Sequence, residues 1–245
     1  MTGKGAVIVT GASGGIGQAL CRRFRDDGYF VIGTDLRPGE GADKWFEMDL
    51  ARLGDDPAYL REALVALLGG VGAHPLRALV NNAALQIVKP VEALQPGDWQ
   101  RSLAVNLLGP FLLIQAMLKR LEAGSGSVVN IASIHGSQTL PGFTAYAVSK
   151  AALEGLTRSL AVELGGRIRV NAIAPAAVAT PMLREGFRGQ DERLARLADA
   201  HPARRIAEPE EIALIASFLV SESAAFITGA VFPVDGGIRS RLHNP

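Results

Sequence analysis

The sequence predicts an α/β fold: a doubly wound parallel sheet of about seven strands with helices on both faces. Three observations predict it. Short apolar, β-branched runs alternate with amphipathic segments along the whole chain, the pattern of strand–helix units on a parallel sheet. The first such run breaks directly into a glycine-rich turn and then into a helical pattern. The chain's 245 residues carry no linker, repeat or low-complexity segment, so 1–245 is expected to form a single domain.

Strands are expected near 6–10, 29–34, 45–48, 77–81, 126–131, 167–173 and 230–233. Ala6-Val7-Ile8-Val9-Thr10 leads into Gly11-Ala12-Ser13-Gly14-Gly15-Ile16-Gly17, followed by Leu20 and Phe24 at helical spacing. In a strand–turn–helix of this kind, backbone N–H groups and a helix N-terminus can receive a pyrophosphate. Gly11 would permit the tight turn, Gly15 the approach of backbone to phosphate, and Gly17 close packing of helix on strand. The second strand ends on Asp35, 18 residues past Gly17, where a carboxylate can hold both ribose hydroxyls of an adenosine and repel a 2′-phosphate. NAD is therefore expected over NADP. Only about ten residues, including Pro38, Gly39 and Gly41, separate the second and third strands, too few for a crossover helix. Asp49-Leu50 follow the third strand and are expected in the adenine pocket. Asp56-Pro57 then opens a helix with a capping acid and a first-turn proline, and Gly69-Gly70 closes it.

The fourth strand runs into Asn81-Asn82-Ala83-Ala84, and a long helix is expected over 98–122 with Asn106 in its interior. Ser133 lies just beyond the fifth strand, at the carboxyl edge where open α/β sheets bind ligands. Tyr146 and Lys150 are four residues apart, so on a helix over 143–164 phenol and ammonium share a face one turn apart. A free tyrosine titrates near ~10, and lowering it by ~3 units takes ~4 kcal/mol of stabilisation of the phenolate. An adjacent ammonium in a partly dry site is the right kind of source.

Thr10-Gly11-x-x-x-Gly15-x-Gly17, Asn81-Asn82-Ala83, Asn106, Ser133, Tyr146-x-x-x-Lys150 and Asp235-Gly236-Gly237 occur in that order over nearly the whole chain. In this the sequence resembles the short-chain dehydrogenase/reductase family, in its single-domain branch of about this length. The resemblance implies a Rossmann-type domain carrying both cofactor and substrate sites. It implies that Ser133 holds the substrate oxygen, that Tyr146 is the general acid/base, and that Lys150 lowers the tyrosine pKa and bonds the nicotinamide ribose. Asn106 would position a water linking Lys150 to solvent. The cofactor would be lined by Gly11, Ser13, Gly14, Gly15, Ile16, Gly17, Asp35, Asp49, Leu50, Asn82, Ala83, Tyr146, Lys150, Pro175, Val178 and Thr180, while Asn81 ties the sheet together. Two positions depart from the family pattern: Ala84 and Ala176 stand where glycine is usual. Ala84, His135, Phe143 and Met182 are expected at the substrate mouth, under a mobile helix pair over 181–203, so a largely apolar secondary alcohol or ketone is the expected substrate. Relatives are commonly tetramers, which implies a homo-oligomer, a tetramer or dimer.

With 25 basic against 24 acidic residues, net charge +1 and no block of like charge, nothing points to a nucleic-acid partner. No uninterrupted apolar run approaches the ~20 residues of a membrane span, and no metal is expected. A cytoplasmic location is expected, and Cys21, the only cysteine, reads as a packed core residue. Two other readings are open: an NADPH-preferring ketone or 3-oxoacyl-thioester reductase, which Arg37 near the second strand would favour, and a catalytically silent nucleotide-binding scaffold.

Overall fold

The computed structural model describes residues 3–241. Among these, seven strands form one all-parallel sheet: β1 Ala6–Thr10, β2 Phe30–Asp35, β3 Lys44–Glu47, β4 Leu76–Asn81, β5 Ser127–Ile131, β6 Arg169–Pro175 and β7 Val231–Val234. Their order across the sheet is β3-β2-β1-β4-β5-β6-β7. The chain thus winds outward from β1 in both directions, and the switch between β1 and β4 opens a crevice at the carboxyl ends of the strands.

Alternation along β1 explains the two cores. Ala6 and Ile8 face one layer, where Leu67 and Val71 of α2 (Pro57–Val71), Leu113 and Met117 of α4 (Gly109–Ala123) and Leu160 of α5 (Thr144–Glu163) pack with Leu79 and Val128. Val7 and Val9 face the other, against Leu20 and Phe24 of α1 (Gly15–Asp26) and Ile212, Ala216 and Leu219 of α8 (Pro209–Val220). Fully buried strands of this kind read as continuous apolar runs, as β1 does. Proline in β7 is tolerated because this strand is the sheet's edge.

No helix separates β2 from β3, as the ten-residue spacing implied. The loop lies across the start of α1 instead: a Cβ at Gly39 would fall 2.8 Å from the Ser13 Cα. The helix expected over 98–122 is interrupted. It comprises α3 (Pro96–Leu103), a π-turn over Ala104–Leu108 and then α4. Pro110 accounts for the break, since it has no N–H to donate to the carbonyl of Asn106 four residues back. The combined stretch Pro96–Ala123 is apolar and long enough to cross a membrane by length and composition, but Leu113, Ile114, Met117 and Leu121 are spent on the sheet. Between β6 and β7 lie α6 (Pro181–Gly186) and α7 (Asp191–Ala200), neither of which buries a residue fully.

Candidate active site

A cavity of ≈ 320 Å³ occupies the crevice, lined by Thr10, Gly11, Ser13, Gly14, Thr34, Asp35, Met48, Asp49, Leu50, Ala83, Ala84, Val105 and Met182. Gly11 makes the turn out of β1 with φ 62, and a side chain there would strike Ala83 Cα at 2.6 Å. Asn82 closes the same turn from β4: its Nδ2 donates to the Thr10 and Gly11 carbonyls at 3.0 and 2.9 Å, while the N–H groups of Asn82 and Ala83 donate to Thr10 Oγ1 at 3.0 Å. A Cβ at Gly17 would come within 2.1 Å of the Gly11 carbonyl oxygen, so α1 packs against the turn itself. Gly15 has a packing role as well. Its missing side chain makes room for Thr180 and Pro181, whose atoms lie 2.9 and 3.0 Å from where a Cβ would be, so the start of α6 roofs the turn.

Asp35 ends β2 and is bound to the glycine turn. Its Oδ2 accepts from the Ser13 N–H at 3.0 Å and the Ser13 hydroxyl at 2.5 Å, and its Oδ1 accepts from Leu36 N–H at 2.7 Å. Asp49 lies across the cavity with Leu50, where its Oδ1 accepts from the Ala51 N–H at 2.9 Å. Three features suit this cavity to a dinucleotide. The buried Thr34 Oγ1 on its wall has no hydrogen-bond partner among the described residues. Gly14, the N-cap of α1, makes no side-chain cap bond, and the first-turn N–H groups of Gly15 and Ile16 have no intrahelical acceptor. Two carboxylates flank apolar Met48 and Leu50 at the far end.

The second group of residues lies at the ends of β5 and α5. Ser133 follows β5, where its hydroxyl accepts the His135 N–H at 3.2 Å and lies near enough to the Tyr146 phenol to lower its pKa in part. Tyr146, Lys150 and Ser133 are 9, 2 and 7 % exposed, so these polar groups are held out of water together. Lys150 Nζ lies 5.7 Å from the Tyr146 ring centre and donates at 2.7 Å to the Ile131 carbonyl, the last residue of β5. The electrostatics correct one expectation. Lys150 was expected to pull Tyr146 down, yet burial pushes the phenol above its ordinary value, with Ser133 offsetting only part, and pushes the Lys150 ammonium down to about 7. Desolvation favours the neutral form of each, and a lysine half-charged near pH 7 lends the phenolate less charge than a full ammonium would.

Asn106 sits in the π-turn and is fully buried. Its Oδ1 accepts from the Leu85 N–H at 2.7 Å, and its Nδ2 donates to the Leu85 carbonyl and Ser149 Oγ at 2.9 Å each. Ser149 in turn donates to the Tyr146 carbonyl at 2.7 Å. Both amide hydrogens are thereby used in joining the 82–88 loop to α5, so the side chain has no donor left for a water. Asn81 plays the expected structural part: Asn81 Nδ2 donates to Asn130 Oδ1, and Asn130 Nδ2 to Thr157 Oγ1, at 2.8 and 2.9 Å.

The residues expected at the substrate mouth fall into two groups. His135 stacks on Phe143 with ring centres 4.3 Å apart and meets Tyr146 edge-on at 5.7 Å. Its Nδ1 bonds Thr139 Oγ1 at 2.9 Å, and burial lowers its pKa. Ala84 and Met182 line the cavity of the glycine turn, Met182 from exposed α6. Pro175 ends β6; Val178 is pinned by a parallel bridge to Ala207; Thr180 caps α6 by accepting the Leu183 N–H at 3.3 Å. Ala176 manages its turn without a positive φ. Val105, Met48 and Thr34 escaped sequence reasoning: none carries a local motif, and each meets the site only through tertiary packing.

A family profile described as enoyl-(acyl carrier protein) reductase matches residues 11–239. D-threitol dehydrogenase of Mycolicibacterium smegmatis is 37 % identical, over 94 % of this chain and 91 % of its own. The 3-oxoacyl-[acyl-carrier-protein] reductase of Pseudomonas aeruginosa is 38 % identical over 94 % and 96 %. The solved structure of 4-hydroxyisoleucine dehydrogenase complexed with NADH superposes with a TM-score of 0.86 at 28 % identity, covering 97 % of this chain and 100 % of that one.

Proposed function

Since the chain belongs to the short-chain dehydrogenase/reductase family, we propose that it is an NAD-dependent oxidoreductase acting between a secondary alcohol and its ketone, with Tyr146 as general acid/base. The observation that carries this is the burial of Ser133, Tyr146 and Lys150 together, on the same carboxyl edge of the sheet as the Asp35 cavity. A scaffold that only bound a nucleotide would have no use for three polar groups held dry at that cost.

When bound, NAD supplies the centre that takes or returns hydride. Ser133 and Tyr146 share the substrate oxygen, which fixes the carbon beside it. Tyr146 takes the hydroxyl proton in oxidation and returns it in reduction. Lys150, near half-charged at neutral pH, holds one N–H on the Ile131 carbonyl and has others for the phenol side and the ribose. Because Pro110 cannot donate to it, the Asn106 carbonyl remains an acceptor for a water leading from Lys150 to solvent. Gly14, Gly15, Ile16 and Gly17 present the helix N-terminus to the pyrophosphate, with Gly11, Ser13, Asn82 and Ala83 forming the turn beneath it. Asp35, Asp49 and Leu50 take the adenosine end. Pro175, Val178 and Thr180 meet the carboxamide. His135, Phe143, Ala84 and Met182 border the substrate. Asp35 supports NAD over NADP, since its charge faces the place of a 2′-phosphate.

Exposed Val148 and Val162 on α5, and Leu214, Phe218 and Phe226 on and after α8, support a homo-oligomer, a tetramer or dimer. The Pseudomonas relative supports a second reading, an NADPH-linked 3-oxoacyl-thioester reductase. One experiment separates them: nicotinamide absorbance followed with NAD and NADP against apolar secondary alcohols and four-carbon polyols of the kind the threitol relative names, and with NADH and NADPH against 3-oxoacyl thioesters. NAD-linked alcohol oxidation is the expected result. Turnover confined to NADPH and thioester would replace it with the second reading.

A further inference from the structure

Tyr59 belongs to neither group described above, yet it is tied to the wall of the same cavity. It lies in the first turn of α2, where Asp56 caps the helix by accepting the Tyr59 N–H at 3.0 Å. Its phenol oxygen reaches back and accepts the Asp49 N–H at 2.7 Å. The Arg52 guanidinium stacks 3.9 Å from the ring centre and donates to Asp56 Oδ2 at 2.8 Å, so the ring is clamped between a capped helix turn and a cation. Asp49 is therefore fixed at two points, its N–H on Tyr59 and its Oδ1 on the Ala51 N–H. Oδ2 accepts no hydrogen bond among the described residues, and Asp49 lines the cavity beside Met48 and Leu50.

We infer that Tyr59 is a positioning residue for base recognition: by fixing the Asp49 backbone it aims the free carboxylate oxygen at the amino group of adenine. This rests on the dinucleotide reading of the cavity. A carboxylate accepts hydrogen bonds and cannot donate them, so it favours the adenine amine and opposes the carbonyl that hypoxanthine carries at the same place. The simpler role for Tyr59 is to fill space, since its ring packs on the core beneath the sheet. Packing uses the ring alone. The hydroxyl bridges two elements, the start of α2 and the segment after β3.

The test titrates protein fluorescence with NADH and with reduced nicotinamide hypoxanthine dinucleotide, for the wild type, Tyr59→Phe and Asp49→Asn. The wild type should bind NADH about tenfold more tightly than the hypoxanthine compound, the discrimination expected of one well-aimed hydrogen bond to a charged group. Tyr59→Phe keeps the ring and should lose most of that preference. In Asp49→Asn, Oδ1 keeps its bond to Ala51 while an amide N–H faces the base, so the preference should reverse. Thermal unfolding of the cofactor-free proteins shows that each variant is folded. A Tyr59→Phe protein with wild-type preference, or one that weakens both compounds equally, overturns the inference. So does a wild type that binds the two compounds alike, which leaves the proposed function standing. A wild type that binds neither overturns both.

Discussion

Lys150 donates a 2.7 Å hydrogen bond to the carbonyl of Ile131, the last residue of β5. Helix α5 is thus fastened to the sheet by an amine that is only 2 % exposed, and its charge is costly there. Burial brings Lys150 to about 7 from 10.5, and the pH dependence of stability follows. Below about pH 7 folded and unfolded chains both hold the proton, and the folded state bears the full cost of the buried charge. Between about 7 and 10.5 the unfolded chain binds more protons, so this group's contribution to stability rises with pH. Above pH 10 the raised Tyr146 opposes it, because the unfolded phenol ionises first. Lys150→Met should therefore melt higher than wild type at pH 6, by up to a few kcal/mol, lose most of the rise between pH 7 and 10, and have no turnover. A flat wild-type profile over that range would show that the amine is not held near neutrality.

Tyr146→Phe separates chemistry from binding. The ring packs edge-on to His135 and Phe143, and phenylalanine keeps those contacts. Loss of the phenol oxygen removes the proton carrier and leaves the ring's neighbours in place. Turnover should fall by ~10²–10⁴, with NADH affinity within about threefold of wild type. A variant retaining most of its rate would show that another group moves the proton.

The glycine turn, the strand ends and the Tyr146–Lys150 pair were legible because each is local: periodicity, a turn needing no side chain, and a four-residue helical spacing. What Gly15 accommodates was not legible, because Thr180 lies 165 residues further along the chain. Nor was the π-turn, whose apolar periodicity continues the flanking helices; Pro110 was its one local mark. The directions of the Tyr146 and Lys150 shifts escaped for a third reason. Spacing brings the two groups near each other, but burial sets which protonation state each prefers, and burial belongs to the whole fold.

Asp35 offers a test of cofactor choice. Its Oδ2 holds both the N–H and the hydroxyl of Ser13, so the carboxylate fixes the turn as well as facing the ribose. Asp35→Asn keeps an oxygen for Ser13 and removes the charge. Its NAD efficiency should fall by about tenfold while that with NADP rises, since one charged hydrogen bond is lost and the repulsion of a 2′-phosphate with it. Ser13→Ala should weaken both cofactors without changing their ratio. Steady-state kcat/KM for the four combinations checks this, and an unchanged ratio in Asp35→Asn would remove Asp35 as the discriminator.

The Asn106 side chain has a structural part beside the water that the family resemblance implies for this residue. All three side-chain hydrogen bonds go to Leu85 and Ser149, so the amide holds the loop carrying Ala83 and Ala84 against the helix carrying Tyr146. Asn106→Ala would take the side-chain partners from the N–H and carbonyl of half-buried Leu85, at a cost of up to ~1–3 kcal/mol for each group left unpaired, and should lower the melting temperature. Were the side chain a water holder only, removing it would slow proton exchange and leave stability and cofactor affinity alone. The expected pattern is the reverse: lower stability and weaker NADH binding, through the loosened 82–88 loop. The carbonyl of residue 106 would survive in Asn106→Ala, and because Pro110 still cannot bond to it, the proton path should remain open. Activity measured at saturating cofactor should therefore fall far less than in Lys150→Met. A stable Asn106→Ala protein that binds NADH normally but turns over slowly would return the side chain to the relay.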